Sequence, residues 1–272
     1  MKSKIHEHQS NKMKAVNKTI FISIFFLFTC QWLFAQSSDA PLLVQQGKDL
    51  LAQMKEEGAL EKFKAALKSD PNNYEASWNA SIMCSRIGNR QTDDTKKREY
   101  FVTAKQYAVK ALKINPTDAE SNYAMAVAMG RMALISGSKD KVAASRDIKN
   151  YVDLALKYNP NHAGAWHVLG KWNYEVANLN FAERAIANSL FGGLPEGADV
   201  NKAIECYTKA ISIDPNNILF YLDMANAYHN IELDTKAIDT LKKAMLLKPR
   251  VEDDANCLVQ CKKVLDDIQA QK

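Results

Sequence analysis

The sequence lacks the short motifs that carry most enzyme chemistry. It has no G-x-S-x-G, hence no nucleophile elbow, and no H-E-x-x-H, hence no zinc-protease helix. No glycine-rich loop is present to cradle a phosphate, and no C-x-x-C pair to run redox chemistry. Histidine is scarce: beyond residue 35 only His162, His167 and His229 occur. Isolated imidazoles without a partner carboxylate do not make an acid–base site. These absences predict a chain that is not an enzyme and that uses no cofactor and no metal.

An excess of charge is also missing once the N-terminus is set aside. The formal net charge is +5, but residues 1–35 hold five lysines and one glutamate, a net of +4, which leaves about +1 on residues 36–272. No basic stripe remains to hold nucleic acid or an anionic membrane surface. Lys12, Lys14 and Lys18 precede an uncharged run from Thr19 to Ala35, and Gln36, Ser37, Ser38 and Asp39 turn polar at once. That is the pattern of a secretory signal peptide cleaved after Ala35, with Met1 or Met13 as the start. It predicts a signal peptide over residues 1–35, one domain over 36–272, and a periplasmic or extracellular mature chain. The 17 uncharged residues are near the lower limit for a span, so a retained membrane anchor is the alternative. Only in that case is the membrane a partner.

Proline is rare, and its placement is regular. Five of the seven prolines stand in one repeated phrase: SDPNN, INPTD, YNPNH, IDPNN and LKPRV, at Pro71, Pro116, Pro160, Pro215 and Pro249. Each follows an alanine-bearing amphipathic run. Proline cannot continue a helix, and Asp and Asn favour turns and N-caps. The recurring helix–turn–helix unit is the signature of an α-solenoid. Five residues before each proline stand Ala66, Ala111, Ala155, Ala210 and Ala244. Twelve before stand Ala59, Ala104, Ile148, Ala203 and Ala237; eight before stand Phe63, Ala108, Val152, Tyr207 and Leu241. Small residues let helices approach, and bulky ones fill the core between them. Pro215 to Pro249 spans 34 residues, the tetratricopeptide period. Trp166, Leu169 and Gly170 match the W-x2-L-G of that repeat.

The other spacings are 45, 44 and 55 residues, so three units carry insertions. They fall around Arg90–Arg98, at Ile135–Lys141, and at Asn178–Asp199, the last with its own helix near Phe181–Leu190. Insertions on a solenoid are expected in loops, either shaping a binding face or acting as spacers that cover an exposed seam. The C-terminal segment reads as an amphipathic capping helix, with Ala255, Leu258, Val259, Val264, Leu265 and Ile268 on its apolar side. The expected fold is all-α: a tetratricopeptide-like α-solenoid of about five hairpins, with an inserted helix in the fourth unit and a terminal cap. Cys84 and Cys206 fall within helices as small core residues. Cys257 and Cys261, four apart on one helix, suit an apolar face better than a metal or a disulfide. Pairing among the four is not fixed by spacing.

The inner face of such a solenoid is lined by first helices at fixed offsets. The fifth position of successive units reads Trp78, Tyr123, His167 and Leu222, and the ninth Ile82, Val127, Lys171 and Asn226. The twelfth includes Tyr174 and His229; the thirteenth reads Arg86, Arg131, Glu175 and Asn230. This is a lane of rings and apolar groups beside two arginines. Aromatics and arginine anchor peptide interfaces, and arginine clamps carboxylates. The expected partner is a protein or peptide, in particular an acidic or C-terminal-carboxylate peptide. A carrier of a lipid or other apolar ligand and a structural scaffold are the alternatives.

One stretch is more specific than the repeat. His167, Leu169, Gly170, Lys171, Trp172 and Tyr174 are followed by Glu183 and Arg184, then Leu190, Phe191 and Pro195, and a repeat helix ending in Asp214-Pro215. This run resembles the helical-repeat domain of the regulator of microtubule dynamics family, most densely over Ala163–Asn217. The resemblance implies a tetratricopeptide-like all-α domain that binds partners, with microtubule association as the family property and no catalytic residues.

Overall fold

A computed structural model describes residues 39–191, 193 and 198–270, with the backbone alone of Phe191. The expected signal peptide, both candidate start methionines and Pro195 lie outside the described residues. Among the described residues every regular element is helical, and there are twelve helices. They pair as α1 (Ala40–Ala52) with α2 (Glu56–Ser69), α3 (Tyr74–Arg90) with α4 (Asp94–Ile114), and α5 (Ala119–Leu134) with α6 (Ser138–Tyr158). The fourth pair is α7 (Ala163–Ala177) with α9 (Val200–Ile213), and α8 (Phe181–Phe191) lies between them in sequence. The fifth is α10 (Ile218–Asn230) with α11 (Asp234–Met245), and α12 (Asp254–Ala270) follows. The five hairpins, the inserted helix and the terminal helix of the sequence reading are all present.

The repeated phrase works as a double cap. The N–H groups of Asp70, Asn115, Asn159 and Asp214 donate to the carbonyls of Ala66, Ala111, Ala155 and Ala210 at 2.8–2.9 Å. The proline that follows carries no N–H and stops the helix. The side chains of Asp70, Asn159 and Asp214 then accept the N–H two residues on, a turn that needs a short polar side chain. Asn73, Asp118 and His162 close the motif as N-caps, accepting from Ala76, Glu120 and Ala165 at 2.9, 2.9 and 3.0 Å.

Every registered core position is buried, from Ala66 and Phe63 in the first unit to Ala244 and Leu241 in the fifth. The close approach explains two glycines. A Cβ at Gly47 would sit 2.5 Å from the Phe63 ring, and one at Gly170 2.6 Å from the Tyr207 ring. In both units the glycine of the first helix makes room for the bulky residue of the second.

First helices α3, α5, α7 and α10 touch one another in succession and form the inner layer; the second helices lie outside. Two insertions differ from expectation. They do not make loops: α4 and α6 run 21 residues against 14 in α2 and α9, so the added polar residues become extra turns of the outer helices. Asp93 caps the first of these by accepting from Lys96 N–H at 2.8 Å. On the terminal helix Leu258, Val264, Leu265 and Ile268 of the expected apolar side join the C-terminal core, and two expected residues do not. Cys257, Cys261 and Ile268 are its buried stripe, packed on α10 and α11, whereas Ala255 and Val259 face solvent. All four described cysteines are free and buried, and burial pushes their thiols up, to about 12 at Cys84 and Cys257 and about 11 at Cys206 and Cys261.

The solenoid also closes on itself. The turn before α12 reaches the start of α2, where Glu252 Oε1 accepts the Glu56 N–H at 2.7 Å. Lys55 gives α2 no side-chain cap, so a carboxylate 196 residues away supplies it. The Glu56 carboxylate is buried and takes Arg86 at 2.7 Å and Arg90 at 2.6 Å. Arg90 continues to Glu252 at 2.9 Å and Asp253 at 3.2 Å. This ion cluster joins the first two hairpins to the C-terminal turn.

Candidate functional site

The inner face is where the expected lane residues fall, and the structure divides them. Trp78 and Ile82 on α3 are half-buried against the N-terminal core. Tyr123 on α5 packs its ring 4.5 Å from that of His162, and Val127 is half-buried one turn on. Leu222 is 3% exposed and belongs to the C-terminal core, so it is packing and not lane. Arg86 is committed to Glu56 and lies 3.8 Å from Asp253, so the expected pair of free arginines does not form. Arg131 differs. Its guanidinium donates to Asn89 Oδ1 at 2.9 Å and meets no carboxylate within ion-pair distance among the described residues. Burial lowers its pKa from the usual arginine value, with Asp253, Tyr123 and Asp223 pulling the other way.

The remaining lane residues converge between α7 and α10. His167 Nε2 lies 2.8 Å from Asp223 Oδ2, and Lys171 Nζ lies 3.5 Å from Asp223 Oδ1 and 3.4 Å from Glu175. Burial opposes the Asp223 carboxylate, but Lys171 and His167 outweigh it and hold its pKa at about 2. Burial likewise opposes the Lys171 ammonium, and Asp223 and Glu175 more than offset this. The His167 ring stacks on Phe220 at 4.7 Å and lies 5.6 Å from Tyr207. The expectation of imidazoles without carboxylates is thereby corrected: His167 has Asp223, and His229 has Asp234 at 2.6 Å. Each carboxylate orients its imidazole, and among the described residues no hydroxyl or thiol is hydrogen-bonded to either ring.

Beside this network is a cavity of about 330 Å³ lined by Lys171 and Tyr174 of α7, Tyr207 of α9, and Asp223, Asn226, His229 and Asn230 of α10. Two of these escape a reading by offsets. Asp223 is one residue past the lane position that Leu222 fills. Tyr207 holds a core register, where its ring is buried; its hydroxyl, a group that a phenylalanine there would lack, has no hydrogen-bond partner among the described residues. A tyrosine at an otherwise apolar register was the available signal.

The inserted helix is fixed by charges. Asn180 Oδ1 accepts from Glu183 N–H at 2.9 Å, and Glu183 Oε2 accepts from Asn180 N–H at 3.1 Å, a capping box. Glu183 also pairs with Lys141 of α6 at 3.1 Å. Arg184 donates to the carbonyls of Leu179 at 2.8 Å and Ala177 at 2.5 Å, closing the end of α7.

The family model described as regulator of microtubule dynamics protein 1-3 matches residues 43–269. The chain belongs to this family. It is 28% identical over 180 residues to regulator of microtubule dynamics protein 3 of Rattus norvegicus, covering 65% of this chain and 38% of the rat protein. It is also 28% identical over 178 residues to protein 1 of Bos taurus, covering 64% of this chain and 55% of the bovine one. The chain thus spans about half or less of these relatives' length. Its fold is similar to that of TTC0263, a thermophilic TPR protein of Thermus thermophilus, with TM-score 0.60, 16% identity, and 83% of this chain and 98% of that one covered.

In this member of the regulator of microtubule dynamics family the residues that carry the resemblance have two kinds of work. Gly170 and Trp172 are structural: one admits the Tyr207 ring, and the other donates from Nε1 to the Ser145 carbonyl of α6 at 2.7 Å. Glu183 and Arg184 seat α8. His167 joins the Asp223 network, and Lys171 and Tyr174 line the cavity.

Proposed function

We propose that this chain is a non-catalytic binding module that holds a segment of a protein partner on its inner face. The repeat fold and the family membership support a helical-repeat protein-binding module. The observation that carries the choice of face is the cavity between α7 and α10, where seven side chains from three helices converge. Second helices carry exposed lysines such as Lys105 and Lys242, and a cavity of about 420 Å³ lies against α2, α3 and α4, lined by Lys64, Cys84, Lys96 and Tyr100 among others; the inner one is preferred because the His167–Asp223–Lys171 network adjoins it. The same cavity is ringed by Lys171, Asp223, Asn226 and His229, which favours a polar segment over a lipid or other apolar cargo.

The leader-like N-terminus supports export, with a mature chain beginning at Gln36. The relatives' names speak of microtubule dynamics, and an exported chain does not share a compartment with cytoplasmic tubulin. The partner is therefore a protein of the receiving compartment. Co-purification from that compartment, followed by affinity measurement with the purified partner, tests the reading. Arg131→Ala is expected to weaken binding about 10- to 150-fold, since a charge-assisted contact is lost. Lys105→Ala is expected to leave it unchanged. Equal affinity for parent and Arg131→Ala, with loss in Lys105→Ala, moves the site to the outer face.

A further inference from the structure

The two ends of the solenoid are clasped by charges and not by apolar packing. Phe63 and Met83 belong to one core cluster, Leu241 and Ile268 to another, and the two clusters have no residue in common. The 251–253 turn joins them. Glu252 reaches Arg90 at 2.9 Å and the Glu56 N–H at 2.7 Å, and Asp253 reaches Arg90 at 3.2 Å and Arg86 at 3.8 Å. The turn does not depend on these contacts for its own shape. Asp254 Oδ2 accepts from the Arg250 N–H at 2.6 Å and the Val251 N–H at 3.0 Å, and Arg250 pairs with Asp214 at 2.8 Å. Cys257, Cys261 and Ile268 anchor α12 on the C-terminal core. The Glu252 and Asp253 side chains are thus turned over to the far end of the array.

They lie on the arginine end of the inner face. Arg86 and Arg131 hold the same offset on α3 and α5. Burial opposes the Arg131 guanidinium, and Asp253 is foremost among the groups that favour it. With the turn in place, Arg86, Arg90 and Arg131 face four carboxylates, those of Glu56, Glu57, Glu252 and Asp253. With the turn withdrawn only Glu56 and the exposed Glu57 remain, so the local net charge changes from −1 to +1. The surface uncovered is cationic, and a segment with two adjacent carboxylates fits it for the reason that Glu252 and Asp253 do. Ion pairs with an exposed side are weak and screened by salt, so this seam can release while both cores stay folded.

We propose that the 251–253 turn is an autoinhibitory strap: Glu252 and Asp253 occupy the arginine end of the inner face and yield it to an acidic segment of the protein partner; this rests on the inner-face reading above and adds its control. A site open in one molecule of a hundred weakens its ligand about 100-fold, which sets the scale of the effect.

The probe is the peptide N-acetyl-VEDD amide, the strap's own sequence, with N-acetyl-VQNN amide as its uncharged control. Each is titrated into full-length chains by calorimetry. Glu252→Ala/Asp253→Ala opens the strap and is expected to bind VEDD about 10- to 100-fold more tightly than the parent. VQNN is expected to bind neither chain. Hydrogen exchange gives a second readout: the Glu56 amide is expected to quicken in the double variant and to slow again when VEDD is added. Asp253→Asn alone keeps the Glu252 cap on α2 and serves if the double variant does not fold; it is expected to gain about threefold over the parent. Equal affinity for VEDD in the parent and the variants overturns the strap, as does an opened chain that ignores VEDD or takes VQNN equally well. If opening the strap leaves VEDD binding unchanged while Arg131→Ala weakens the partner, the strap fails and the binding-module reading stands. If VEDD enters only the opened chain while Arg131→Ala leaves partner affinity intact, the reverse holds.

Discussion

Two residues of the inner face carry opposite lessons about stability. Asp223 is held at about 2, below its ordinary 3.8, by Lys171 and His167. A depressed carboxylate contributes stability above its unfolded pKa and loses it as pH falls through the folded one. The contribution is about 2 kcal/mol, full above roughly pH 5 and lost between roughly pH 4 and 2. Chemical denaturation across that range is expected to show the loss in the parent and a much flatter profile in Asp223→Asn; parallel profiles would remove Asp223 from the account. Tyr207 works the other way. Its unpaired hydroxyl stabilises nothing in the free protein. Tyr207→Phe is expected to raise the melting temperature by about 2–4 °C, the equivalent of about 1 kcal/mol. A lower melting temperature would mean that the hydroxyl has a structural partner. Neither effect is legible in sequence, since each depends on what a neighbouring helix brings within hydrogen-bonding reach.

Elements were legible where a local rule fixes them. The Asp/Asn-Pro phrases at Pro71, Pro116, Pro160 and Pro215 each stop a helix, and the first three also cap the next with their own side chains, so these hairpins can be counted before any tertiary contact is known. The rule fails where length alone is visible. An insertion near Arg90–Arg98 can lengthen a loop or a helix, and here the Asp93 cap and helix-compatible residues extend α4 by extra turns. On the terminal helix the apolar reading holds for Cys257, Leu258, Cys261, Val264, Leu265 and Ile268 and fails for Ala255 and Val259; only packing on α10 and α11 sets the edge of the face. Seating α12 buries Ile268 and both cysteines and covers Ile218, Leu222 and Leu241. A chain ending at Arg250 is therefore expected to expose that apolar cluster and to aggregate in sedimentation velocity runs. A monodisperse truncated chain with the parent's melting temperature would contradict the role of α12 as a cap.

At the scale of the solenoid the unforeseen feature is closure. Arg86 was placed correctly on a first helix, and Arg90, read as the start of an insertion, is that helix's last residue; their partners Glu56, Glu252 and Asp253 come from both ends of the repeat array. No spacing rule connects residues 196 apart. Arg90→Ala is expected to cost about 1.5–3 kcal/mol and to speed amide exchange at the start of α2 and in the 251–253 turn together. Faster exchange at one end alone would show that the cluster does not couple them. The lane was legible as a face and not as a set: Lys171, Tyr174 and Asn226 reach the cavity, Leu222 is core, and Arg86 belongs to the clasp. What decides the account is which face the partner touches. A photo-cross-linking residue placed at Asn226, at Arg131 and at the outer Lys105 in separate full-length chains reads this directly. The inner-face account predicts a partner adduct from positions 226 and 131 and none from 105; adduct from 105 alone would contradict it.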